Sequence, residues 1–172
     1  MAKGIRAKHK ELVEGLHERV KRNFLEHGSL TPVTFMITYN NKVNIIGGAF
    51  TSSAQKEAYA GAVRQLSIKE KAVGTIFASE AWSIKSKGKS EEDKDAILEE
   101  YEKVGSLENM PGRIEAIVIV EEYLDATYIT TYEIIRKGKK LSLKNAKPMK
   151  MDSDSPAEGR MTNMIGKPNF NM

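Results

Sequence analysis

The positions of the apolar residues restrict the fold of this chain more than any other feature of its sequence. In residues 33–39 and 73–85 they alternate with polar or small residues, which is the period of a β-strand whose two faces differ. Residues 113–123 and 126–137 are two longer apolar segments, and residues 117–120 are apolar on both faces, as in a central strand. These four segments predict a β-sheet.

Short connections between the strands predict that neighbouring strands run antiparallel. An Asn-Asn pair at residues 40–41 precedes a return strand at 43–50, and Asn tolerates the positive φ that a tight turn requires. The two long strands meet near residues 124–125, and a turn at 137–139 leads to a short strand at 140–144. The sheet is therefore expected to be mainly antiparallel, with five to six strands.

Two helices are predicted from apolar residues that recur at helical spacing. The first covers residues 5–27 and ends before Gly28, a natural C-terminal stop. Its apolar stripe consists of Leu12, Leu16, Val20 and Phe24. The second covers residues 53–71 and begins at a capping box of Ser52 and Gln55. Its small residues, which we expect to face the sheet, are Ala54, Ala58, Gly61 and Ala62.

Together these elements predict an α+β domain of two layers, with both main helices on one face of the sheet. An acidic helix at residues 90–105 is predicted as an insertion between strands. The single domain is expected to occupy residues 1–144, and the polar residues 145–172 are predicted to form an irregular or disordered tail. The order of elements resembles that of profilin-like and roadblock-like domains, a resemblance that implies no function.

Several classes of function lack support in the sequence. The 172 residues include no Cys, which excludes disulfides, thiolate catalysis and Cys-ligated metal centres. The P-loop, the G-x-G-x-x-G loop and the G-x-S-x-G elbow are missing. We find no secretory signal and no segment apolar enough for a membrane span, so the expected location is the cytoplasm, without a membrane partner. We predict no cofactor and no metal.

The most unusual carboxylate in the predicted sheet is Glu80. Strand alternation places it on the same face as Ile76 and Trp82, where burial is costly without a partner. Arg113, at the mouth of a neighbouring strand, is a candidate partner. A functional interpretation makes Glu80 and Arg113 a catalytic or ligand-binding pair, with Trp82 as a stacking surface. The alternative is a structural ion pair and a Trp that closes the end of the sheet.

The other titratable residues give no compact constellation. His9, His17 and His27 lie on or beside the first helix and are expected at the border of its apolar stripe, which disfavours a catalytic or metal-binding role. The acidic residues of the two long strands are Glu115, Glu121, Glu122, Asp125 and Glu133. Glu121 and Glu122 point to opposite faces, so they cannot form one site.

Charge is segregated along the chain, although the net charge is only +4. Residues 91–102 carry seven acidic residues and one basic residue, whereas residues 136–150 carry seven basic residues and no acidic one. These bases are Arg136, Lys137, Lys139, Lys140, Lys144, Lys147 and Lys150. One interpretation is electrostatic binding of nucleic acid. The alternative is an edge strand whose lysines prevent aggregation between sheets.

Three short motifs occur at the predicted strand ends. They are Gly28-Ser29-Leu30-Thr31-Pro32, Ser79-Glu80-Ala81-Trp82 and Pro111-Gly112-Arg113-Ile114-Glu115-Ala116. Together they resemble a loose group of small, uncharacterised bacterial and phage proteins, over about residues 10–135. The resemblance implies a shared α+β scaffold and an origin in a phage or mobile element, and it implies no activity.

We therefore favour a small cytoplasmic, non-catalytic binding or regulatory protein that uses its sheet as a scaffold. Its partner is expected to be another protein or a second copy of the chain, bound at an exposed face or edge of the sheet. Two alternatives stay open. One is a nucleic-acid or ribonucleoprotein accessory protein that uses residues 136–150, and the other is an enzyme with a dispersed carboxylate site around Glu80.

Overall fold

A computed structural model of the chain describes residues 3–84, 99, 102–103 and 112–151. Its helices are α1 (Ile5–Lys8), α2 (Lys10–His27) and α3 (Ser53–Lys69). Its strands are β1 (Val33–Thr38), β2 (Val43–Gly47), β3 (Ala72–Ile84), β4 (Arg113–Tyr123), β5 (Thr127–Lys137), β6 (Lys140–Leu143) and β7 (Met149–Lys150). The predicted acidic helix at 90–105 lies outside the described residues, apart from Glu99, Glu102 and Lys103, which are helical. The predicted α+β class is confirmed.

The strands form one seven-stranded sheet in the order β2-β1-β3-β4-β5-β6, with β7 also paired to β5. All of these pairings are antiparallel, as predicted. The longest pairing joins residues 74–84 of β3 to residues 113–123 of β4. β7 continues the sheet beyond residue 144, where the sequence predicts irregular chain, because Met149 and Lys150 pair with β5. Two residues are too few for strand alternation to be recognised in a sequence.

The helix predicted at residues 5–27 is divided into α1 and α2 by His9, whose φ of −111° and ψ of 20° depart from helical values. α2 ends as predicted. Gly28 takes the left-handed conformation with a φ of 74°, and its N–H donates to the Phe24 carbonyl at 2.7 Å. No helix among the described residues has the length and apolar character needed to cross a membrane.

The two long helices lie on opposite faces of the sheet, so the prediction that both pack on one face is wrong. α2 packs on a large core that includes Phe35, Ile76 and Ile117. α3 packs on a smaller core that includes Met36 and Phe77. Phe35 and Met36 are adjacent in β1, and adjacent side chains of a strand point to opposite faces. Because β1 and β3 are apolar on both faces, each face requires its own cover.

The sheet curls around α2 into a half-barrel. Side chains from one end of the sheet to the other reach the same core, from the partly buried Val43 of β2 to Leu141 and Leu143 of β6. In the middle of the sheet, Ile119 of β4 is fully buried beneath α2. α2 therefore occupies the concave side and α3 the convex side.

The face of α3 that contacts the sheet differs from the predicted small-residue face. The predicted residues Ala54, Ala58 and Ala62 are exposed. The buried residues of α3 are Ala60, Val63 and Ser67. The predicted N-terminus is confirmed, because the Ser52 hydroxyl accepts a hydrogen bond from the Gln55 N–H at 3.2 Å.

Tyr59 fixes α3 over the β1–β2 hairpin. Its hydroxyl donates to the Ile46 carbonyl at 2.8 Å and lies 2.7 Å from the Thr34 hydroxyl. Its ring lies so close to Gly48 that a Cβ atom on Gly48 would be 2.5 Å from a ring carbon. Gly48 is thus needed for this close approach. The hairpin turn is as predicted, with Asn41 at a positive φ of 62°.

Candidate functional site

Trp82 and Arg113 lie together, whereas Glu80 lies apart from Arg113. The Arg113 guanidinium carbon is 5.4 Å from the centroid of the Trp82 ring, a cation–π distance. Both residues line a shallow cleft of about 470 Å³ that also includes Glu115 and Glu133. Among the described residues, no ion pair joins Glu80 to Arg113. The predicted binding role of Trp82 and Arg113 stays a prediction.

Glu80 is exposed, contrary to the expectation that its face excludes water. Its Oε2 atom accepts a hydrogen bond from the Leu30 backbone N–H at 3.2 Å. Strand alternation is preserved, but Glu80 lies beyond Ile76 and Ala78, the last residues of β3 that belong to the core under α2. The sequence pattern gave the face correctly and could not give how far along the strand the helix extends.

The seven predicted basic residues of the 136–150 segment are all exposed. Arg136 donates to Glu115 of β4, with 2.8 Å between its Nε and a carboxylate oxygen, and this hydrogen bond raises the pKa of Arg136. The six lysines lie in or beside β6 and β7, at one end of the sheet. This is the arrangement by which sheet edges are protected from pairing with other sheets.

A buried polar cluster, which we call the Glu121 cluster, lies between the sheet and the first two helices. Glu121 of β4 is 0% exposed and is on the same sheet face as Ile117 and Ile119. Its Oε2 accepts a hydrogen bond from His17 Nε2 of α2 at 3.0 Å. Its Oε1 accepts from the Tyr123 hydroxyl at 2.5 Å. The carboxylate thus joins α2 to the sheet.

Arg6 of α1 completes the Glu121 cluster. Its Nε and Nη2 atoms lie 2.8 Å and 3.4 Å from the two carboxylate oxygens of Glu121. Its guanidinium carbon lies 5.2 Å from the centroid of the Tyr128 ring, and the rings of Tyr128 and Tyr123 meet edge to face at 6.1 Å. Arg6 therefore neutralises a carboxylate that has no access to water.

Hydrogen bonding keeps Glu121 ionised despite its burial. Burial by itself raises the pKa of Glu121, but hydrogen bonds from His17, Tyr123 and Arg6 outweigh this effect and hold the pKa below its ordinary value. Burial and the Glu121 charge raise the pKa of Tyr123, so its hydroxyl stays protonated and donates. An ionised carboxylate only accepts hydrogen bonds, so His17 Nε2 carries a proton.

His17 links the carboxylate to a second tyrosine. Its Nδ1 atom lies 2.8 Å from the Tyr132 hydroxyl, and in the neutral ring this nitrogen accepts from that hydroxyl. Burial, followed by the charges of Glu18 and Glu121, raises the pKa of Tyr132 to about 12. Tyr132 and Glu121 are both buried, so this chain of hydrogen bonds joins α2 to the sheet within the core.

Sequence reasoning missed the Glu121 cluster. The expectation that the His rings lie at the border of the helix stripe is wrong for His17, which is 5% exposed. Two signals were available. His17 lies four residues after Val13 and three before Val20, within the buried stripe, and Glu121 occupies an inward position of β4 where a cation is needed.

β2 is an edge strand of the sheet, and its pairing with β1 defines which of its backbone groups face outward. The Thr38 N–H donates to the Lys42 carbonyl at 2.9 Å, and the Gly48 N–H donates to the Pro32 carbonyl at 3.0 Å. Hydrogen-bonded pairs recur at every second residue of an antiparallel ladder. The even-numbered residues of β2 therefore bond to β1.

The outward backbone groups of β2 belong to Val43, Ile45 and Gly47. Within residues 3–84 and 112–151, no strand pairs with this side of β2. The Ile45 side chain, in the middle of the strand, is 55% exposed. No residue of β2 is charged, so this edge lacks the lysines that protect the β6 end.

A groove of about 430 Å³ lies between the C-terminal half of α2 and the β2 edge. Its apolar lining is formed by Val20, Leu30, Pro32, Val33, Phe35 and Ile45. Its polar lining comes mainly from α2, with Arg19, Asn23 and His27. A strand added to β2 would lie with every second side chain over this groove.

Comparison with protein-family models, with curated proteins and with solved structures finds no match to this chain.

Proposed function

We propose that this chain is a non-catalytic binding protein whose β2 edge accepts a further β-strand, and that this strand is β2 of a second copy. The main support for the proposal is the difference in charge and exposed apolar surface between the two ends of the sheet. The β6 end is lined with exposed lysines, whereas β2 is uncharged and carries a half-exposed Ile45 beside an apolar groove. Strand addition at a free edge is a common mode of recognition, because the backbone supplies affinity and the groove supplies specificity.

A second copy fits the β2 edge because the edge is compatible with itself. A two-fold axis at Ile45 would place Val43 of one copy opposite Gly47 of the other. The nearest flanking charge is Lys42, and six residues of strand would separate the two Lys42 side chains by about 20 Å. The pairing therefore brings no like charges together, whereas pairing at the β6 end would oppose lysine to lysine.

Sedimentation of the full-length chain tests the proposal. We expect a concentration-dependent dimer that Ile45→Lys converts to a monomer, because the new charge would be desolvated beside its own copy. Leu124→Lys is the matched control, since Leu124 is 43% exposed and directly follows β4, which β1 and β3 separate from β2. A monomeric wild type at all accessible concentrations, or equal effects of the two substitutions, would overturn the proposal.

Nucleic-acid binding is the second candidate, and it is favoured by the exposed lysines of residues 137–150. If these lysines contact phosphates, binding should weaken steeply with salt and weaken further when Lys137, Lys139 and Lys140 are neutralised. If the protein causes no electrophoretic mobility shift of DNA or RNA at low salt, this candidate is excluded. The exposure of Glu80 adds no support to an enzymatic site around that residue.

A further inference from the structure

We propose that Glu121, Tyr123 and Tyr128 form a binding pocket for a guanidinium cation. Arg6 fills this pocket from within the chain. An arginine side chain of another polypeptide enters it when α1 withdraws. This inference does not depend on the β2 edge. It rests on the shape and charge of the pocket and on the weak attachment of the segment that carries Arg6.

The pocket matches a guanidinium in geometry as well as in charge. Two nitrogens of Arg6 face the two carboxylate oxygens of Glu121, at 2.8 Å and 3.4 Å. The guanidinium carbon lies 5.2 Å from the centroid of the Tyr128 ring. A flat cation with several N–H donors can contact a carboxylate at two points and an aromatic ring at once, and a lysine ammonium cannot reproduce this set of contacts.

The pocket requires a cation whenever the protein is folded. Glu121 is fully buried, and a buried charge that loses its counter-ion is strongly destabilised. His17 and Tyr123 continue to donate to the carboxylate after Arg6 leaves, which preserves the pocket in its ionised form. Exchange of one guanidinium for another keeps the charge balance, so the ligand class is cationic and not neutral or anionic.

The segment that carries Arg6 is held by few contacts. α1 has four residues, none of them fully buried, and His9 separates it from α2. Its apolar contact with the main core is made by the partly buried Ile5. Apart from Arg6, its polar anchor to the sheet is the Ile5 N–H, which donates to the Asp125 carboxylate at 3.0 Å. The Arg6 side chain is itself 18% exposed. Since α1 has few buried contacts, the cost of its opening lies mainly in the loss of the Arg6–Glu121 pair, which an incoming guanidinium restores.

An incoming chain has space beside α1. A cleft of about 870 Å³ is lined by both α1 and the start of α2, with Ile5 and Leu12 on one side and Tyr39 and Val73 on the other. Tyr39 is 65% exposed and supplies apolar surface to this cleft. Glu121 does not line this cleft, so a peptide that lies in it reaches the carboxylate only after α1 withdraws.

The full-length Arg6→Ala variant tests the proposal, with N-acetyl-arginine amide as the probe and N-acetyl-lysine amide as its control. We expect the arginine probe to raise the melting temperature of Arg6→Ala and to bind it at least about tenfold more tightly than the lysine probe does. The wild type should bind the arginine probe at least about tenfold more weakly than Arg6→Ala, because Arg6 competes. Arg6→Ala combined with Glu121→Gln should bind neither probe.

A second measurement covers the case in which Arg6→Ala does not fold. In the wild type, a high concentration of the arginine probe should displace Arg6 and speed the solvent exchange of the Ile5 amide, which loses its bond to Asp125. The lysine probe should leave that amide unchanged. Equal responses to the two probes, or no response of either protein to the arginine probe, would overturn the proposal.

Discussion

Replacement of Glu121 by Gln should destabilise the protein far more than the same replacement elsewhere on β4. Gln retains the shape of the side chain and can still accept from Tyr123, but it removes the only carboxylate that Arg6 and His17 contact in the buried cluster. Breaking a buried ion pair from one side costs about 3–5 kcal/mol. Since the Arg6 side chain is 18% exposed and can regain some hydration, we expect the lower value, about 3 kcal/mol.

The assay is urea unfolding at neutral pH. With a slope of about 2 kcal/mol per molar urea, a loss of about 3 kcal/mol lowers the midpoint by about 1.5 M. Glu115→Gln is the matched control, because Glu115 is on the same strand and also pairs with an arginine, Arg136. Its pair is largely exposed, at 38% and 49%, so the substitution should cost less than about 0.5 kcal/mol.

A cost of less than about 1 kcal/mol for Glu121→Gln, or one no larger than that of Glu115→Gln, would contradict a stabilising role of the Glu121 cluster. A change in the slope of the urea transition would show that the substitution alters the denatured or native ensemble and not stability alone. Arg6→Gln should also be strongly destabilising, because it leaves the fully buried Glu121 carboxylate without its cation, although His17 and Tyr123 still donate to it.

Three further predictions concern pH and backbone conformation. The folded pKa of Glu121 lies below its unfolded value of about 4.3, so the stabilisation by this carboxylate is fully present above a pH of about 4.3 and is lost as the pH falls through the folded pKa. Glu121→Gln should therefore make stability less dependent on pH in acid. Urea midpoints at a series of pH values measure this. Gly48→Ala places a Cβ 2.5 Å from the hydrogen-bonded Tyr59 ring and should lower the stability measured by thermal unfolding by about 1–3 kcal/mol. In Gly61→Ala the new Cβ meets nothing within 4 Å, so this control should be neutral or stabilising. Lys71 has a φ of 51°, which is strained for a residue with a branched Cβ. Lys71→Val should lower stability by about 1–2 kcal/mol, whereas Lys71→Gly should change it by less than about 0.5 kcal/mol. Equal effects of the two substitutions would contradict this strain.

The strands were the most predictable part of the fold. Alternation is a local property with a period of two residues, so the segment at 73–85 could be recognised without knowledge of its neighbours. Turn chemistry added the pairing of β1 with β2, since Asn41 takes the positive φ that its residue type tolerates. Both properties are encoded within a few residues of where they act.

The placement of α3 was not predictable from the same local patterns. Met36 and Phe77 require cover on the convex face, but strand alternation does not specify which helix covers which face. The small residues Ala54 and Ala58 suggested a close contact with the sheet that the structure does not contain, because they are exposed. Which face a helix covers depends on the curl of the whole sheet, which no single segment specifies.

The Glu121 cluster was hidden for a different reason. Arg6 and Glu121 are 115 residues apart in sequence, and the register that brings them together follows from the pairing of several strands. A buried carboxylate can be suspected from strand alternation, but its partners cannot be named before the helix that crosses it is placed. His17 was therefore assigned to the border of α2 although it is one of its most enclosed side chains.

The separation of α2 and α3 by a single sheet gives the domain two hydrophobic interiors of unequal size. They share β1 and β3, where neighbouring residues such as Phe35 and Met36 belong to different interiors. The smaller interior contains five buried apolar residues, so α3 can detach in a local opening event while the larger interior stays closed. Methyl groups at Met36 and Ile37, one residue apart, would then report two different opening equilibria of the same strand.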